Sequence, residues 1–269
     1  MNAPTDLATA TEERILLRSD ARGVATLTLN RPKQYNALSE ELLTELQSAL
    51  EAIEQDQAVR VVVIAGTGAA FCAGHDLKQM RANPSKAYYQ KLFAQCSRMM
   101  LTLTRIPQPV IARVHGIATA AGCQLVAQCD LAVASDSAKF AVSGINVGLF
   151  CSTPSVPLGR NVLRKQAMEM LLTGEFVDAS TAQEYGLVNS VVAGDRLDQV
   201  VGELAERIIA KSSMAVSIGK RMFYKQLEMG LEAAYDYAAE TMACNMMAAD
   251  AGEGIDAFIE RRPPQWTGR

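Results

Sequence analysis

The residues best suited to chemistry in this 269-residue chain are few and are flanked by small residues. Cys72, His75 and Asp76 stand within five positions of one another, and His115 is the only other histidine. Such a cluster could supply a nucleophile, a base or metal ligands, but no fourth metal ligand follows at a suitable spacing. The G-x-S-x-G elbow of serine hydrolases and the glycine loops that bind nucleotides are also missing from the sequence. We therefore predict no metal site and no dinucleotide site.

Strands and helices that would position this cluster are predicted on both sides of it. Residues 15–17 and 24–29 are typical of a hairpin with its turn at 19–23, and short apolar runs predict buried strands at 61–64, 109–114 and 131–134. Helical spacing of apolar residues predicts helices after the candidate cap Ser39, at 87–104 and at 121–129. The repeated order of strand, helix and strand favours an α/β fold with parallel strands.

The pattern changes after about residue 195, where only helical periodicity remains. It predicts helices at 197–210, 213–227, 231–247 and 252–260, of which the last two are rich in Ala and Met. Methionine at this density favours a core or a subunit interface. We divide the chain into a polar leader (1–14), an α/β core (15–194) and a C-terminal helical region (195–269).

Composition excludes several classes of function. The chain is 49% hydrophobic with a net charge of −3, so it can bury a large core but has no basic field for nucleic acid or anionic membranes. No apolar run approaches the roughly 20 residues that span a bilayer. The six cysteines form no CxxC pair, and the first 14 residues lack the apolar stretch of a signal peptide. We therefore expect reduced thiols, a cytoplasmic location, no nucleic-acid partner and no membrane insertion.

Four segments in fixed order resemble the crotonase superfamily, whose members include enoyl-CoA hydratases and isomerases. They are 29–38 (LNRPKQYNAL), 71–78 (FCAGHDLK), 116–125 (GIATAAGCQL) with Cys129 and Asp130, and 258–263 (FIERRP). Residues 122–125 (GCQL) and 146–154 (NVGLFCSTP) resemble the subgroup named enoyl-CoA hydratase domain-containing protein 3. The resemblance implies a crotonase-like fold of repeated β-β-α units with a C-terminal helical trimerisation region. It also implies a homotrimer or hexamer and an acyl-CoA ligand of fatty-acid metabolism, with coenzyme A as part of the substrate and no separate cofactor.

Crotonase-type reactions pass through a thioester enolate whose oxyanion is stabilised by two backbone N–H donors. By resemblance these donors belong to His75 and Ala121. Small neighbours would let the thioester approach the backbone, and they are Ala73, Gly74, Ala120 and Gly122.

The resemblance also implies which residues contact coenzyme A or the substrate. They are Lys33, Tyr35, Ala37, Ala73, His75, Asp76, Leu77, Lys78, Ala121 and Phe258. Lys33, Lys78 and also Arg31 are equally typical of solvated surface cations. Asp76 and Asp130 lie in turns where helix capping is the expected role.

The sequence departs from the hydratases of the family at both catalytic glutamates. Gln124 and Gly144 stand at those positions, and Ser152 stands where isomerases often keep an acid. Adding water to an enoyl double bond needs a base and an acid, each of which contributes ~10² to 10⁴-fold. We therefore expect no ordinary hydratase turnover.

Five side chains remain as catalytic candidates: His75, Gln124, Asn146, Cys151 and Ser152. Gln124 and Asn146 could orient water, His75 could titrate near neutrality, and Cys151 could attack if its thiolate were stabilised. Each has a structural alternative. His75 could contribute only its backbone, Cys151 could fill apolar space, and Gln124 could satisfy a neighbouring carbonyl.

Three functions are compatible with these residues. The favoured one is an acyl-CoA enzyme, nominally of the lyase type, that uses the oxyanion hole while neutral groups handle protons. The second is a non-catalytic acyl-CoA binder or sensor. The third is an acyl-CoA thioesterase that uses Cys151, or a water held by Gln124 and His75.

Overall fold

The computed structural model describes residues 14–269, and its strands form two sheets. The strands are β1 (Leu16–Ala21), β2 (Val24–Leu29), β3 (Val61–Gly66), β4 (Ala70–Cys72), β5 (Val110–Val114), β6 (Ile117–Thr119), β7 (Leu131–Ser135), β8 (Lys139–Ala141), β9 (Val177–Asp178) and β10 (Ser190–Val192). One sheet has the order β1-β2-β3-β5-β7-β10 and the other β4-β6-β8-β9. Neighbouring strands are parallel except in the pairs β1/β2 and β8/β9. The predicted α/β fold is confirmed, whereas the predicted leader lies outside the described residues except for Arg14.

Helices follow most of the strands and make up the chain after β10. They are α1 (Glu40–Glu54), α2 (Leu77–Ala82), α3 (Lys86–Arg105), α4 (Ala121–Gln128), α5 (Ser152–Asn161), α6 (Arg164–Thr173), α7 (Ala179–Glu184), α8 (Leu197–Ile209), α9 (Ser213–Gln226), α10 (Leu231–Met246) and α11 (Ala249–Glu260). A 3-10 turn spans Ser143–Val147 between β8 and α5. None of the helices in residues 14–269 has the length and apolar character needed to cross a bilayer.

Strand β3 is buried on both faces, as its continuous β-branched run predicts. Val62 and Ile64 belong to the main core between the layers. Val61 and Val63 lie in a smaller cluster formed with residues of α8. Burial of apolar surface on both sides stabilises this strand, because each such side chain removed from water contributes about 1.5–3 kcal/mol.

The hairpin has a tighter turn than the sequence predicts. Residues 19–21 continue β1 and pair with β2, so only Arg22 and Gly23 connect the two strands. Both residues have positive φ, 49° and 79°, which is the conformation of a two-residue hairpin turn whose twist matches that of the strands. The prediction of a five-residue turn at 19–23 is therefore wrong.

A buried ion pair joins the C-terminal helices to the α/β core. Lys220 of α9 donates hydrogen bonds to three acceptors: Leu103 O (2.7 Å), Gln108 O (2.8 Å) and Asp130 Oδ2 (2.7 Å). Asp130 also accepts hydrogen bonds from Tyr224 OH (2.8 Å) and from Val110 N (2.7 Å). Capping was the expected role of Asp130, but the carboxylate instead ties α9 to the start of β5. The expectation failed because its partner on α9 lies 90 residues away in the chain.

Replacing Lys220 by methionine is expected to lower the free energy of unfolding by about 3 kcal/mol, because it leaves the Asp130 carboxylate poorly compensated and nearly buried. Urea denaturation at a fixed protein concentration measures this loss. The matched control is Glu206→Gln, which removes an exposed ion pair with Arg22 and should change stability by less than about 0.5 kcal/mol. Equal effects of the two substitutions would contradict an anchoring role for Lys220.

Candidate functional site

Two backbone turns meet without side chains between them. A Cβ atom added to Gly74 would lie 2.9 Å from Ala120 Cβ and 3.0 Å from Ala121 N, and one added to Gly122 would lie 2.0 Å from the Cys72 carbonyl oxygen. Gly74 also has φ of +90°, which favours glycine. The turn after β4 and the start of α4 are therefore in direct backbone contact, as expected from the small residues of both segments.

The backbone N–H group of His75 takes no part in the hydrogen bonds that hold its own turn. Leu38 N donates to Gly74 O (2.8 Å) and Asp76 N donates to Leu38 O (3.3 Å), so Leu38 bridges the residues on either side of His75. In this parallel bridge the N–H and C=O groups of His75 itself point away from Leu38. Within residues 14–269 the His75 N–H group makes no hydrogen bond.

Ala121 presents a second free N–H group. It is the first residue of α4, where amides have no acceptor within the helix, and no side chain in residues 14–269 caps this end. The preceding residue, Ala120, has φ of 51° and ψ of −120°, a strained conformation for a residue with a Cβ. Ala120 is held by its own hydrogen bond to Ala141 O (2.9 Å). Two free N–H groups on touching turns, one at a helix N-terminus, form a region suited to an oxygen that carries negative charge.

An internal network fixes the turn that contains His75. Asp76 accepts hydrogen bonds from Lys78 N and Gln79 N at the start of α2, which confirms its predicted capping role. Its other oxygen pairs with Arg31 (3.1 Å), whose guanidinium also donates to Ala37 O at 2.5 Å. Both side chains of this pair are only 17% exposed. The Arg31 side chain is thus committed to structure rather than available to a ligand.

The His75 side chain is a buried neutral imidazole. Burial lowers its pKa to about 4, and this is only partly offset by the nearby Leu38 carbonyl, which lies outside good hydrogen-bonding geometry. The ring packs edge-on against Phe93 of α3 at a centroid distance of 5.4 Å. Neither ring nitrogen has a hydrogen-bond partner among the described residues. Titration near neutrality, which the unperturbed pKa would predict, does not occur in this environment.

Gln124 and Gly144, the two positions that sequence analysis matched to the catalytic glutamates of hydratases, are neutral and differ in available space. Gln124 is 4% exposed, and its Oε1 atom has no donor within residues 14–269. At Gly144 an added Cβ would lie 2.6 Å from Leu149 O and 2.8 Å from Cys151 Sγ. A side chain at position 144 therefore requires movement of the backbone carbonyl of Leu149.

The three candidate side chains after Gly144 are engaged in local structure. Asn146 Nδ2 donates to Gly174 O (3.3 Å), and Ser152 Oγ donates to Phe150 O (3.3 Å). Cys151 Sγ accepts the hydrogen bond of Gly144 N (3.3 Å), and burial raises the pKa of its thiol. The structure thus places Cys151 beside Gly144 as a protonated filler and directs Asn146 towards the turn after α6.

Sequence reasoning missed a pair of hydroxyl groups beside the two turns. Thr119 Oγ1, at the end of β6, lies 2.7 Å from Ser143 Oγ, which stands two residues beyond the neighbouring strand β8. Thr119 stands two residues before Ala121, and Ser143 immediately precedes Gly144. Their positions next to both motifs were the available signal, but the contact itself depends on the pairing of β6 with β8.

Most of the predicted coenzyme A contacts lie around the two turns, whereas Phe258 lies on α11. Tyr35 and Leu77 are 58% and 52% exposed, Lys33 and Lys78 are exposed, Ala37 is buried and Ala73 is half-buried. Tyr35 O accepts a hydrogen bond from Ala73 N (3.0 Å), which joins this surface to the His75 turn.

Phe258 is 85% exposed on α11, beside a cavity of about 590 Å³. The other residues lining that cavity are Lys211, Ser212, Ala215, Asn245, Met246, Asp250, Ala251, Gly254, Ile255 and Trp266.

The paired sheets and touching turns are those of the crotonase fold, and similarity to known proteins supports this class. The family model described as enoyl-CoA hydratase/isomerase matches residues 19–269, so the chain belongs to that family. The crystal structure of an enoyl-CoA hydratase of Mycobacterium smegmatis has a TM-score of 0.93 at 60% identity, over 94% of this chain and 99% of that chain.

Relatives of one named subgroup are also similar along most of the chain. The mitochondrial enoyl-CoA hydratase domain-containing protein 3 of Rattus norvegicus is 42% identical over 95% of this chain and 85% of its own length. The crystal structure of the human enoyl-CoA hydratase domain-containing protein 3 has a TM-score of 0.91 at 43% identity, over 94% of this chain and 100% of that chain. The resemblance to this subgroup is confirmed.

The predicted cytoplasmic location is contradicted by these relatives. Proteins of the subgroup from rat, mouse, frog and human all bear the designation mitochondrial. All six cysteines are free, five of them buried, so the thiols are reduced in the structure. Free thiols distinguish oxidising from reducing surroundings, but they do not distinguish one reducing compartment from another.

Substituting His75 by glutamine is expected to weaken the dependence of stability on acid pH. The folded-state pKa of His75, about 4, lies below its unfolded value of about 6.5, so only the unfolded state gains the proton between these values. Stability is therefore lost as pH falls below about 6.5. Urea titrations at pH 7 and pH 5 should show that this loss is about 2 kcal/mol smaller in the variant.

The substitution His115→Gln serves as the control, because His115 is the only other histidine and its pKa is also lowered by burial. An NMR titration of the His115→Gln variant should show the remaining imidazole, that of His75, titrating near pH 4. A midpoint near pH 6.5 would contradict the buried, neutral state of His75.

Proposed function

We propose that this protein binds an acyl-CoA thioester and polarises its carbonyl group through the N–H groups of His75 and Ala121. The observation that carries the proposal is the pair of free amides on two touching turns. A thioester carbonyl can accept two hydrogen bonds, and its oxygen gains negative charge when an enolate or a tetrahedral adduct forms. Fixed donors aimed at that oxygen stabilise the charge without reorganising during the reaction. The proposed setting is fatty-acid or acyl-CoA metabolism, with coenzyme A as part of the ligand and no separate cofactor.

The coenzyme A portion is assigned to the surface beside the turns. Exposed Tyr35 and Leu77 offer apolar contact to adenine or pantetheine, and Lys33 and Lys78 offer positive charge to phosphates. Ala37 and Ala73 add little side-chain bulk to this surface. Asp76 contributes by stabilising the neighbouring turn, through its cap of α2 and its ion pair with Arg31. Phe258 is assigned to an adenine contact supplied by the same or a neighbouring subunit.

Acid–base chemistry of the hydratase type is not part of the proposal. Gln124 cannot exchange a proton as a carboxyl group does, and Gly144 has neither a functional group nor space for one. The proposed enzymatic role is limited to reactions of the polarised thioester in which the substrate, water or neutral side chains handle protons.

A non-catalytic acyl-CoA binder or sensor is the second candidate. The donor groups of Asn146 and Ser152 bond to backbone carbonyls, which favours it, since these hydrogens are not free to be given to a ligand. The thioesterase alternative has less support, because burial raises the pKa of the Cys151 thiol whereas a nucleophile requires the thiolate. Hydrolysis by a water held between Gln124 and His75 would have only a weak base, since burial lowers the pKa of His75 to about 4.

A homotrimer, alone or paired into a hexamer, is the proposed assembly. Large apolar side chains of the C-terminal helices are exposed in the single chain, among them Met242 (68%), Met247 (86%) and Phe258 (85%). Exposed apolar surface of this extent is typical of subunit contacts.

Substituting Gly74 by alanine is expected to weaken the binding of butyryl-CoA, a ligand with no double bond to hydrate, by at least ~10-fold. The new Cβ would push the turn away from Ala120 and Ala121 N and so change the spacing of the two N–H donors. Loss of one hydrogen bond between an N–H group and the carbonyl, about 1.4 kcal/mol, accounts for a factor of this size. Calorimetry measures the affinity, and circular dichroism checks folding.

The matched control is Gly23→Ala. Gly23 also has positive φ, 79°, but it lies in the β1–β2 turn, and an added Cβ there meets atoms no closer than 3.4 Å. The Gly23→Ala variant has the same kind of backbone strain as Gly74→Ala, about 1 kcal/mol for alanine at positive φ, without disturbing the site. Unchanged affinity in Gly74→Ala, or absence of butyryl-CoA binding in the parent protein, would refute the proposed thioester site.

Hydration of crotonyl-CoA is expected to be at least ~10⁴-fold slower than in a hydratase that has both glutamates, because two acid–base groups are missing. Gln124→Glu should restore only part of the rate, since Gly144 remains. Mass spectrometry of the product detects the added water. Hydration by the parent protein at ordinary enzyme rates would show that carboxylates are unnecessary here and would exclude the non-catalytic alternative.

A further inference from the structure

A fully buried asparagine joins the loop before α1 to the connection between β3 and β4. Asn36 is 0% exposed, and its Nδ2 atom donates hydrogen bonds to Thr67 O and Ala70 O, both at 2.8 Å. Its Oδ1 atom accepts a hydrogen bond from Arg31 N at 2.9 Å. Both hydrogens of the amide are therefore used, and the three partners fix which end of the amide is the donor. The side chain thus connects two segments of backbone rigidly.

The surroundings of this amide leave little room for a shift. A Cβ atom added to Gly66 would lie 2.9 Å from Asn36 Nδ2. Asn36 itself has φ of 55°, a conformation in which asparagine is found more often than most residues with a side chain. Aspartate has the same shape but cannot donate two hydrogen bonds. The backbone conformation and the two carbonyl acceptors together explain why this position holds asparagine.

The same loop sets the orientation of the peptide group that carries the His75 N–H donor. Leu38, two residues after Asn36, lies opposite His75 in a parallel bridge, and Leu38 N donates to Gly74 O at 2.8 Å. The Gly74 carbonyl and the His75 N–H group belong to one planar trans peptide group, so they point in opposite directions. The hydrogen bond from Leu38 therefore directs the His75 N–H group away from the loop. A displacement of Leu38 would turn this N–H group with it.

We propose that Asn36 is a positioning residue, which sets the direction of the His75 N–H group through Leu38. The inference rests on the proposed function, because it takes this N–H group to be a donor to the thioester carbonyl. Asn36 holds the loop against residues 67–70, and the bond from Leu38 to Gly74 transfers that position to the donor. The N–H group is thereby fixed before the ligand binds, and fixed donors polarise a carbonyl without reorganising during the reaction.

The test measures polarisation of the bound carbonyl, which a general loss of stability does not change. Butyryl-CoA with a heavy carbon isotope at the thioester carbonyl is bound to the whole chain at saturation, and difference infrared spectroscopy records its C=O stretch. In the parent protein the stretch should lie at lower wavenumber than in the free ligand, because hydrogen bonds to the oxygen weaken the C=O bond. Asn36→Gly allows the positive φ but makes none of the three side-chain hydrogen bonds. It should lose about half of the shift, as expected when one of two donors is misdirected.

Gln108→Ala is the matched control. Gln108 is also buried, and its amide donates to a backbone carbonyl, that of Ile53, at 2.7 Å. It precedes β5 whereas Asn36 follows β2, so the two residues lie at opposite ends of parallel strands. Gln108→Ala should lower the free energy of unfolding but leave the infrared shift unchanged.

Asn36→Asp is the second variant, and it decides the question if Asn36→Gly does not fold. It keeps an acceptor for Arg31 N but cannot make both donations, so its shift should be smaller than that of the parent protein. The parent shift in a folded Asn36→Gly or Asn36→Asp, or an equal loss in Gln108→Ala, would overturn the positioning role while leaving thioester binding intact. Absence of butyryl-CoA binding, or of any shift, in the parent protein would instead refute the proposed function and this inference with it.

Discussion

Direct contact between two backbone turns is the constraint on which the site depends. Gly74 and Gly122 meet the opposite backbone where a Cβ would collide, at Ala121 N and at the Cys72 carbonyl respectively. The contact leaves two amides without acceptors among the described residues and holds Ala120 in a strained conformation, both of which are unfavourable. The arrangement persists because the elements on either side are rigid: Phe71 and Phe140 are fully buried in the core, and Arg31 and Asp76 fasten the first turn to residues before α1.

Much of the fold could be predicted from the sequence because its signals are local. Ser39 caps α1 as expected, Asp76 caps α2, and the apolar run at β3 is buried on both faces. The free amides could also be located, since small residues in a fixed order mark the two turns. These features depend on residue type and on neighbours within a few positions, which a sequence displays directly.

The side chains of the site were harder to predict because their roles depend on distant partners. Asn146 was a candidate for orienting water, but its amide is bonded to Gly174, which lies 28 residues further along the chain. Ser143 was not recognised because its partner Thr119 stands on another strand. Residue type shows what a group is able to do, whereas only the packing shows whether it is already engaged.

Gln124 and Gly144 carry no charge, and Gly144 in addition has no space for a side chain. At Gly144 the volume next to the backbone is occupied by Cys151 Sγ and the Leu149 carbonyl, and the thiol is hydrogen-bonded to the Gly144 N–H group. Burial raises the pKa of this thiol, which suits a filler and opposes a nucleophile. A glutamate at this position would therefore require the Leu149 carbonyl to move. The site combines two free backbone N–H groups with polar, uncharged side chains, so the proposed polarisation of a carbonyl relies on hydrogen bonding rather than on proton transfer.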